Sequence, residues 1–216
     1  MASQLPLPFE PSPQLRREDF VVAPSNSAAV AFIDMFRPGP VQAAALYGPS
    51  GSGKTHLANA WASIAGARVI EAADLTRDLV ADLDPGTFLA IENIDGAHAI
   101  DEVALFALFQ QQRLVLFTAR QHPRAWAAAS PDLVSRFHAL PACELGEPDD
   151  ALLAGLARKL FADRQLTVPE PVIDRILRSI ERSPAAVRDF VAKADAHALA
   201  RKRPVTVQLV GELLDA

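Results

Sequence analysis

The stretch Gly48-Pro49-Ser50-Gly51-Ser52-Gly53-Lys54-Thr55 has the spacing G-x-x-x-x-G-K-T, which is typical of a loop that binds nucleotide phosphates. Glycines allow backbone turns with positive φ, so that successive N–H groups can point at the phosphates. In such loops the lysine reaches the β- and γ-phosphate oxygens, and the threonine hydroxyl ligates Mg²⁺. The sequence therefore predicts that Lys54 and Thr55 bind a nucleoside triphosphate or diphosphate.

The residues on both sides of this phosphate-binding loop fit the same interpretation. The apolar run 41–47 predicts a buried strand that enters the loop, and residues 54–65 predict a helix whose N-terminus faces the anion. The other predicted strands cover 67–70, 87–91, 113–118 and 142–145, and the helices between them cover 74–81 and 101–112. Strands that alternate with helices predict an α/β fold, with a parallel sheet covered on both faces.

The rest of the chain divides into two further parts. Residues 1–13 are rich in proline and predict an extended arm outside the core. From Glu147 onward the pattern becomes one helix after another, with Pro169, Pro184 and Pro204 near helix starts. We therefore expect a flexible arm (1–13), a nucleotide-binding αβα domain (14–146) and a helical lid domain (147–216).

The composition excludes several classes of protein. The net charge of −5 gives no overall attraction to nucleic acid or to an anionic membrane. The single cysteine, Cys143, excludes an internal disulfide and a zinc site built from cysteines. No apolar run reaches the roughly 18 residues that span a bilayer, and the N-terminus lacks the apolar segment of a signal peptide. We expect a cytoplasmic protein with no membrane partner.

Several segments, taken together, resemble the DnaA family of bacterial replication initiators, which are AAA+ proteins. Phe20-Val21-Val22 with Asn26 resembles the segment that leads into the family's adenine pocket, and residues 53–57 resemble its form of the phosphate-binding loop. Ser135-Arg136-Phe137 is similar to the segment that bears the family's arginine finger, and residues 186–189 are similar to its sensor 2 helix. The resemblance runs in order from about residue 18 to the C-terminus.

This resemblance implies an AAA+ P-loop fold: a five-stranded parallel αβα sandwich followed by a small all-α lid. It also implies a bound adenine nucleotide, ADP or ATP, with Mg²⁺. The residues implied at the nucleotide belong to the adenine segment, the loop and the two sensors: Phe20, Val21, Val22, Asn26, Pro49, Ser50, Gly51, Ser52, Gly53, Lys54, Thr55, His56, Thr118 and Arg188.

Both sensor assignments have alternatives. Thr118 lies at the end of a predicted central strand, where the family has sensor 1, but a buried strand threonine needs no ligand. Arg182 competes with Arg188 as the sensor 2 contact, and either arginine could instead pair with Glu181 or Asp189.

The end of the strand 87–91 departs from the pattern of an active AAA+ ATPase, which has an aspartate for Mg²⁺ and then an acid that activates water. Glu92 keeps a carboxylate, so Thr55 and Glu92 are the expected metal ligands, whereas Asn93 cannot accept a proton. Loss of a general base typically costs a factor of about 10²–10⁴ in rate, and strand geometry makes Asp95 a poor substitute. We therefore expect this chain to hydrolyse its own nucleotide slowly or not at all.

Arg136 points to an action on a second protein. An arginine finger supplied in trans raises the rate of phosphoryl transfer by about 10³–10⁵. The resemblance implies that the partner is DnaA carrying ATP, and AAA+ modules also associate head to tail with their own copies. The alternative is a surface arginine paired with Asp132.

The arm contains Gln4-Leu5-Pro6-Leu7-Pro8-Phe9, which resembles the motif by which replication proteins dock on the sliding clamp. Leu5, Leu7 and Phe9 would be apolar anchors, Gln4 would form hydrogen bonds, and the prolines would lower the ordering cost of binding. The alternative is an ordinary disordered tail. This arm, in a chain that ends where DnaA continues into a DNA-binding domain, resembles the Hda-type regulatory inactivators of DnaA.

The resemblance therefore implies a regulatory adaptor that binds adenine nucleotide and the DNA-loaded sliding clamp, the beta subunit of DNA polymerase III. It would stimulate ATP hydrolysis by DnaA and thereby limit replication initiation, and it would meet DNA only through the clamp. Two other functions stay open: a DnaC-like helicase loader or related DnaA-type ATPase, and a DNA-binding adaptor. ATP turnover by this chain would distinguish a helicase loader from the regulator. DNA binding that depends on salt concentration would identify a DNA-binding adaptor.

Overall fold

The computed structural model describes residues 16–96, 100–201 and 203–214. The predicted arm lies outside these ranges, so the clamp-binding roles of Gln4, Leu5, Leu7 and Phe9 stay predictions.

A single parallel sheet of five strands, in the order β2-β3-β4-β1-β5, forms the centre of the described structure. The strands are β1 (Ala43–Tyr47), β2 (Arg68–Glu71), β3 (Leu89–Glu92), β4 (Val115–Ala119) and β5 (Ala142–Glu144). Of the three inner strands, β3 and β4 are buried along their whole length and β1 is buried at its three central residues, as expected for a parallel sheet covered on both faces. The predicted sheet is confirmed, and the strand bounds differ from the predicted ones by one or two residues.

Helices precede, connect and follow these strands. They are α1 (Ser27–Met35), α2 (Lys54–Ala65), α3 (Arg77–Ala81), α4 (Glu102–Gln110), α5 (Pro131–Ala139), α6 (Asp150–Asp163), α7 (Glu170–Ser179), α8 (Pro184–Arg201) and α9 (Val207–Leu214). The helix predicted at 54–65 is confirmed. The helix predicted at 74–81 is present as α3, but its start was predicted three residues too early. A 3₁₀ turn (Ala72–Asp74) ends before α3, and the Thr76 hydroxyl caps α3 by accepting a hydrogen bond from the Leu79 N–H.

The two faces of the sheet carry separate apolar layers. On one face Phe117 of β4 packs edge-on against Trp126, and Trp126 packs edge-on against Phe137 of α5. On the other face the neighbouring strand residues pack on α1 and α2, where Trp61 stacks on Phe36 with ring centroids 5.4 Å apart. Burial of each such aromatic side chain contributes about 1.5–3 kcal/mol. Both tryptophans are core residues, since Trp61 is 1% exposed and Trp126 is 4% exposed.

A third apolar cluster lies among the last four helices. Its buried members lie between Leu153 and Val210 and include Phe161, Ile176 and Val191. The helix starts predicted near prolines are confirmed, because α7 begins after Pro169 and α8 begins at Pro184. No helix in the described parts of the chain is both long enough and apolar enough to cross a bilayer.

Gly48, the first residue of the phosphate-binding loop, lies where two segments approach most closely. The Leu145 N–H donates to the Tyr47 carbonyl at 2.7 Å, which extends the pairing of β1 and β5 past the strand ends. Gly48 has φ +149°, and a Cβ added there would lie 2.1 Å from the carbonyl oxygen of Leu145. No side chain can occupy this position without moving the backbone.

Replacing Gly48 by alanine is expected to lower the free energy of unfolding by about 3 kcal/mol or more, because steric overlap and an unfavourable φ add together. Gly86→Ala is the matched control: Gly86 also has a positive φ, +84°, but an added Cβ would meet nothing within 4 Å. We expect the control to cost about 1 kcal/mol. Urea unfolding followed by circular dichroism measures both, and equal losses would contradict the role of the Leu145 contact.

Candidate functional site

The phosphate-binding loop connects β1 to the first turn of α2, as its spacing predicts. Gly51 and Gly53 have φ values of +77° and +103°, a backbone region that favours glycine. Lys54 is the first residue of α2, so the unpaired N–H groups and the positive end of the helix dipole face the loop. This arrangement is that of an anion-binding helix N-terminus.

Lys54 lies over the inner side of the loop. Its ammonium group donates to the carbonyl oxygens of Gly48 at 2.8 Å and Pro49 at 2.7 Å. The residue is only 8% exposed, and burial lowers the pKa of Lys54 below its usual value. If a phosphate were bound, the Lys54 ammonium group could donate to its anionic oxygens instead of to the two neutral carbonyls. Hydrogen bonds between two charged groups are stronger than those to a neutral acceptor.

Thr55 and Glu92, the two predicted metal ligands, are in contact. The Thr55 hydroxyl donates to one oxygen of Glu92 at 2.7 Å, and the Asn59 side-chain amide donates to the other oxygen at 3.1 Å. Glu92 is 4% exposed, and burial is the main cause that raises its pKa. A hydroxyl and a carboxylate are the hard oxygen ligands that Mg²⁺ uses together with phosphate oxygens. The residues present therefore fit a nucleotide-bound Mg²⁺.

Asn93 follows Glu92 and is held by two hydrogen bonds. Its backbone N–H donates to the Thr118 hydroxyl at 3.2 Å, and its side-chain amide donates to Glu71 at 2.9 Å. The residue has φ +58°, a left-handed conformation that asparagine tolerates better than most residues. The predicted sensor 1 residue Thr118 is 1% exposed and binds the backbone of Asn93. Sequence reasoning missed Glu71. The available signal was that β2 and β3 are adjacent parallel strands that end in Glu71 and Glu92, so that the two carboxylates lie side by side.

The carboxylate of Asp95 is occupied by backbone groups. It accepts hydrogen bonds from the N–H groups of Arg120 and Gln121 at 2.8–3.0 Å, in the turn that follows β4. A carboxylate that caps a turn in this way is a structural group. This geometry agrees with the expectation that Asp95 does not replace the missing base.

The predicted adenine segment lies against the start of α2. The Phe20 ring packs edge-on against His56 at 5.1 Å, and it would touch a Cβ added at Gly53 at 3.4 Å. Asn26 is 3% exposed and closes a tight turn: it accepts from the Ala23 N–H at 2.9 Å and donates to the Val21 carbonyl at 2.8 Å. In this structure Asn26 shapes its own segment, while the exposed Val22 stands at the surface.

One carboxylate joins this segment to the start of α6. Asp149 accepts from the Ser25 N–H at 2.9 Å, and its other oxygen accepts from the Leu152 N–H at 2.7 Å. The second bond caps α6, and these backbone donors, Leu152 first, lower the pKa of Asp149. Lys159 adds an ion pair with Asp19 at 2.8 Å. Sequence reasoning missed these contacts, although an aspartate directly before a predicted helix is a common N-cap signal.

Of the two arginines proposed for sensor 2, Arg188 lies near enough to His56, in the first turn of α2, for its charge to act on the pKa of that histidine. Burial is the main cause that lowers the pKa of His56, and the positive charge of Arg188 acts in the same direction. Arg182 instead pairs with Asp150 at 2.7 Å. The alternative partners predicted for Arg182, Glu181 and Asp189, are therefore wrong, because the start of α6 lies opposite it. The nucleotide contact of Arg188 stays a prediction.

Arg136 lies on α5 and contacts α4. Its guanidinium forms an ion pair with Asp132 at 3.1 Å, as the alternative interpretation predicts, and lies 5.9 Å and 5.5 Å from the ring centres of Phe106 and Phe109. Its side chain is 41% exposed. A surface ion pair contributes about 0–1 kcal/mol, and an exposed cation–π contact about 0.5–1 kcal/mol. These contacts are weak enough to be exchanged for contacts with a partner.

Replacing Asn26 by alanine is expected to lower the free energy of unfolding by about 2–3 kcal/mol, because a buried backbone N–H and a partly buried backbone carbonyl lose their hydrogen bonds. Ser27→Ala is the control, since its hydroxyl makes an exposed hydrogen bond to the Pro24 carbonyl at 3.2 Å and we expect less than about 0.5 kcal/mol. Chemical unfolding measures both. Similar small losses would contradict a structural role for Asn26.

Solved structures give the comparison with known proteins. Domain III of the Thermotoga maritima replication initiation protein DnaA has a TM-score of 0.73 at 22% identity, over 94% of this chain and 96% of that chain. AMPPCP-bound DnaA from Aquifex aeolicus has a TM-score of 0.65 at 21% identity, over 88% and 69% of the two chains. The Thermotoga maritima RuvB Holliday junction branch migration motor has a TM-score of 0.73 at 17% identity, over 93% and 71%.

No protein-family model and no curated protein matches the chain. At these identities the structural likeness concerns the fold. The predicted fold class is confirmed: the chain has the AAA+ P-loop fold, similar to that of DnaA domain III and of RuvB.

Proposed function

We propose that this chain is a DnaA-related AAA+ regulator of replication that holds ADP or ATP with Mg²⁺ and hydrolyses it slowly or not at all. The observation that carries the proposal is the contact of Thr55 with Glu92 beside Lys54, at a site where the next residue is Asn93. The site has the groups that bind a nucleotide and lacks the usual acid that activates water. Among the similar structures, a DnaA is described as bound to AMPPCP and single-stranded DNA.

Each part of the loop has a defined task in this proposal. Backbone N–H groups at the start of α2 bind the phosphates. Lys54 exchanges its bonds with the Gly48 and Pro49 carbonyls for phosphate oxygens. Thr55 and Glu92 hold Mg²⁺, which supplies positive charge against the phosphate oxygens. Phe20 and its neighbours line the adenine side, and Arg188 reaches the phosphates from the lid.

Arg136 acts on a second protein in this proposal. Its observed partners belong to α4 and α5, away from the loop of its own chain. It is half-exposed and held by weak contacts, so a neighbour can take it over. We propose that this neighbour is ATP-bound DnaA, whose hydrolysis Arg136 stimulates. Head-to-tail association of two copies of this chain would likewise place Arg136 of one copy at the nucleotide of the other.

The arm completes the proposed regulator, which we place in the cytoplasm. Gln4, Leu5, Leu7 and Phe9 dock on the sliding clamp, so the chain meets DNA only indirectly. A clamp ring offers more than one peptide pocket, so a weak motif gains affinity through multivalency. This is the role of an Hda-type inactivator, which acts where DNA carries a loaded clamp.

Replacing Lys54 by alanine is expected to weaken ADP and ATP binding about 10- to 100-fold, because a charge-assisted hydrogen bond is lost. Calorimetric titration with each nucleotide, with and without Mg²⁺, measures the change. Lys193→Ala on the exposed face of α8 is the control and should bind as the unaltered protein does. If the unaltered protein binds neither nucleotide, the proposed function fails.

Replacing Arg136 by alanine is expected to lower the stimulation of DnaA hydrolysis about 10³-fold or to background, because the finger charge is lost. Arg136→Lys should not restore it, since an ammonium lacks the planar fork of a guanidinium. The assay is ATP turnover by DnaA with clamp loaded on DNA, and clamp binding is checked separately.

Arg178→Ala is the matched control, because Arg178 is also an exposed helix arginine that pairs with an aspartate four residues before it. If the Arg136→Ala variant still stimulates ATP hydrolysis by DnaA, Arg136 is not an arginine finger that acts in trans. No stimulation by the unaltered protein would overturn the regulator, and rapid turnover by this chain alone would favour a helicase loader.

A further inference from the structure

The ends of β2 and β3 bring three polar side chains together beside the phosphate-binding loop. Glu71 and Glu92 are paired in register on adjacent parallel strands, and Asn93 follows Glu92. A cavity of about 460 Å³ opens beside them, and Thr55, Glu71, Glu92 and Asp74 lie in its wall. Glu71 is therefore near the metal-binding pair, although it belongs to a neighbouring strand.

Glu71 holds the side chain of Asn93 in one orientation. A carboxylate can only accept hydrogen bonds, so the group that faces Glu71 at 2.9 Å is the amide nitrogen of Asn93. The backbone of Asn93 is fixed independently by the Thr118 hydroxyl at 3.2 Å. With both ends fixed, the amide oxygen of Asn93 points away from Glu71.

An aspartate in place of Asn93 would meet different surroundings. It would have no N–H to donate and would bring a negative charge to hydrogen-bonding distance of Glu71, with Glu92 as a second carboxylate nearby. Like charges at this spacing repel, so the new carboxylate would turn away from Glu71. It would then lack the hydrogen bond that orients the amide at this position, and it would not be held as an oriented base.

We infer that Glu71 is a positioning residue that fixes the Asn93 amide and leaves a carboxylate at position 93 without a partner to orient it, so that a single change at 93 does not create an ATPase. This inference rests on the proposed function and concerns the regulation of the same nucleotide site. The pair Glu71–Asn93 then acts as a two-residue block on hydrolysis.

The block concerns one proton transfer. In hydrolysis the water oxygen forms a bond to the γ-phosphorus, and the bond from that phosphorus to the β,γ-bridging oxygen breaks. ADP leaves with the electron pair of that bond, and a base takes a proton from the water. An amide cannot take this proton, and a repelled carboxylate is not in position to take it.

The test compares four proteins: unaltered, Glu71→Gln, Asn93→Asp and the double variant. In the double variant the new amide at position 71 can donate to the new carboxylate at position 93, which restores the observed hydrogen bond with donor and acceptor exchanged. Single-turnover ATP hydrolysis with Mg²⁺ is measured on protein saturated with nucleotide, and nucleotide affinity is measured alongside. Asp74→Asn is the control, since Asp74 lies in the same cavity wall but is not the partner of Asn93.

We expect Asn93→Asp alone to raise hydrolysis less than about 10-fold and the double variant to raise it about 100-fold, the lower range for a general base. Glu71→Gln and Asp74→Asn alone should leave the rate low. A single Asn93→Asp variant as fast as the double one would overturn the inference. A double variant that binds nucleotide but hydrolyses no faster would also overturn it, as would a Glu71→Gln variant that is slower than the unaltered protein, since Glu71 would then itself be the base.

The side-chain amide signals of Asn93 in NMR spectra of the nucleotide-free protein test the pair separately. They should shift in Glu71→Ala and stay in place in Asp74→Asn, and unchanged signals in Glu71→Ala would overturn the positioning role. The signals could shift as expected although the unaltered protein binds no nucleotide. The Glu71–Asn93 contact would then be real, but the proposed function would fail, and the block on hydrolysis would fail with it.

Discussion

Because all five strands are parallel, their carboxyl ends meet at one edge of the sheet, and this constraint brings together the polar groups that surround the phosphate-binding loop. The phosphate-binding loop leaves β1 at this edge, Glu92 and Asn93 leave β3, and Thr118 lies near the end of β4. Side chains also bridge strands that are not direct neighbours. Thr55, which follows the loop after β1, donates a hydrogen bond to Glu92 at the end of β3, and β4 lies between these two strands. A change at any one strand end therefore alters the surroundings of the others.

The start of α6 approaches the same edge. The segment before α1 touches the loop helix through Phe20 and His56, and it touches α6 through Ser25 and Asp149. It lies between the part of the chain that would bind phosphates and the part that carries Arg188. Asp149 both caps α6 and holds Ser25, so α6 and the segment before α1 share one anchor.

Local patterns allowed most of the fold to be predicted from the sequence. The phosphate-binding loop and α2 are specified by residues that are neighbours in the chain, and the buried strands are specified by unbroken apolar runs. The resemblance to the DnaA family supplied the order of the parts and pointed to Phe20, Arg136 and Arg188.

Contacts between distant segments could not be predicted in the same way. The Glu71–Asn93 and Ser25–Asp149 bonds join residues 22 and 124 positions apart, and only the packed sheet and lid bring them together. The alternative partners considered for Arg182, Glu181 and Asp189, were its neighbours on the chain, whereas its observed partner Asp150 lies at the start of α6. The start of α3 was misplaced because the 3₁₀ turn before it continues the same helical pattern.

The two tryptophans can serve as intrinsic fluorescence probes, because they lie in different apolar layers of the protein. Trp61 lies in the layer formed by α1 and α2, with its ring N–H bound to the Phe36 carbonyl, and Trp126 lies in the opposite layer, bound to the Gln121 carbonyl. The chain has no other tryptophan. Each indole emission therefore reports water entering one side of the sheet, and two single-tryptophan versions would reveal which layer opens first without any added label.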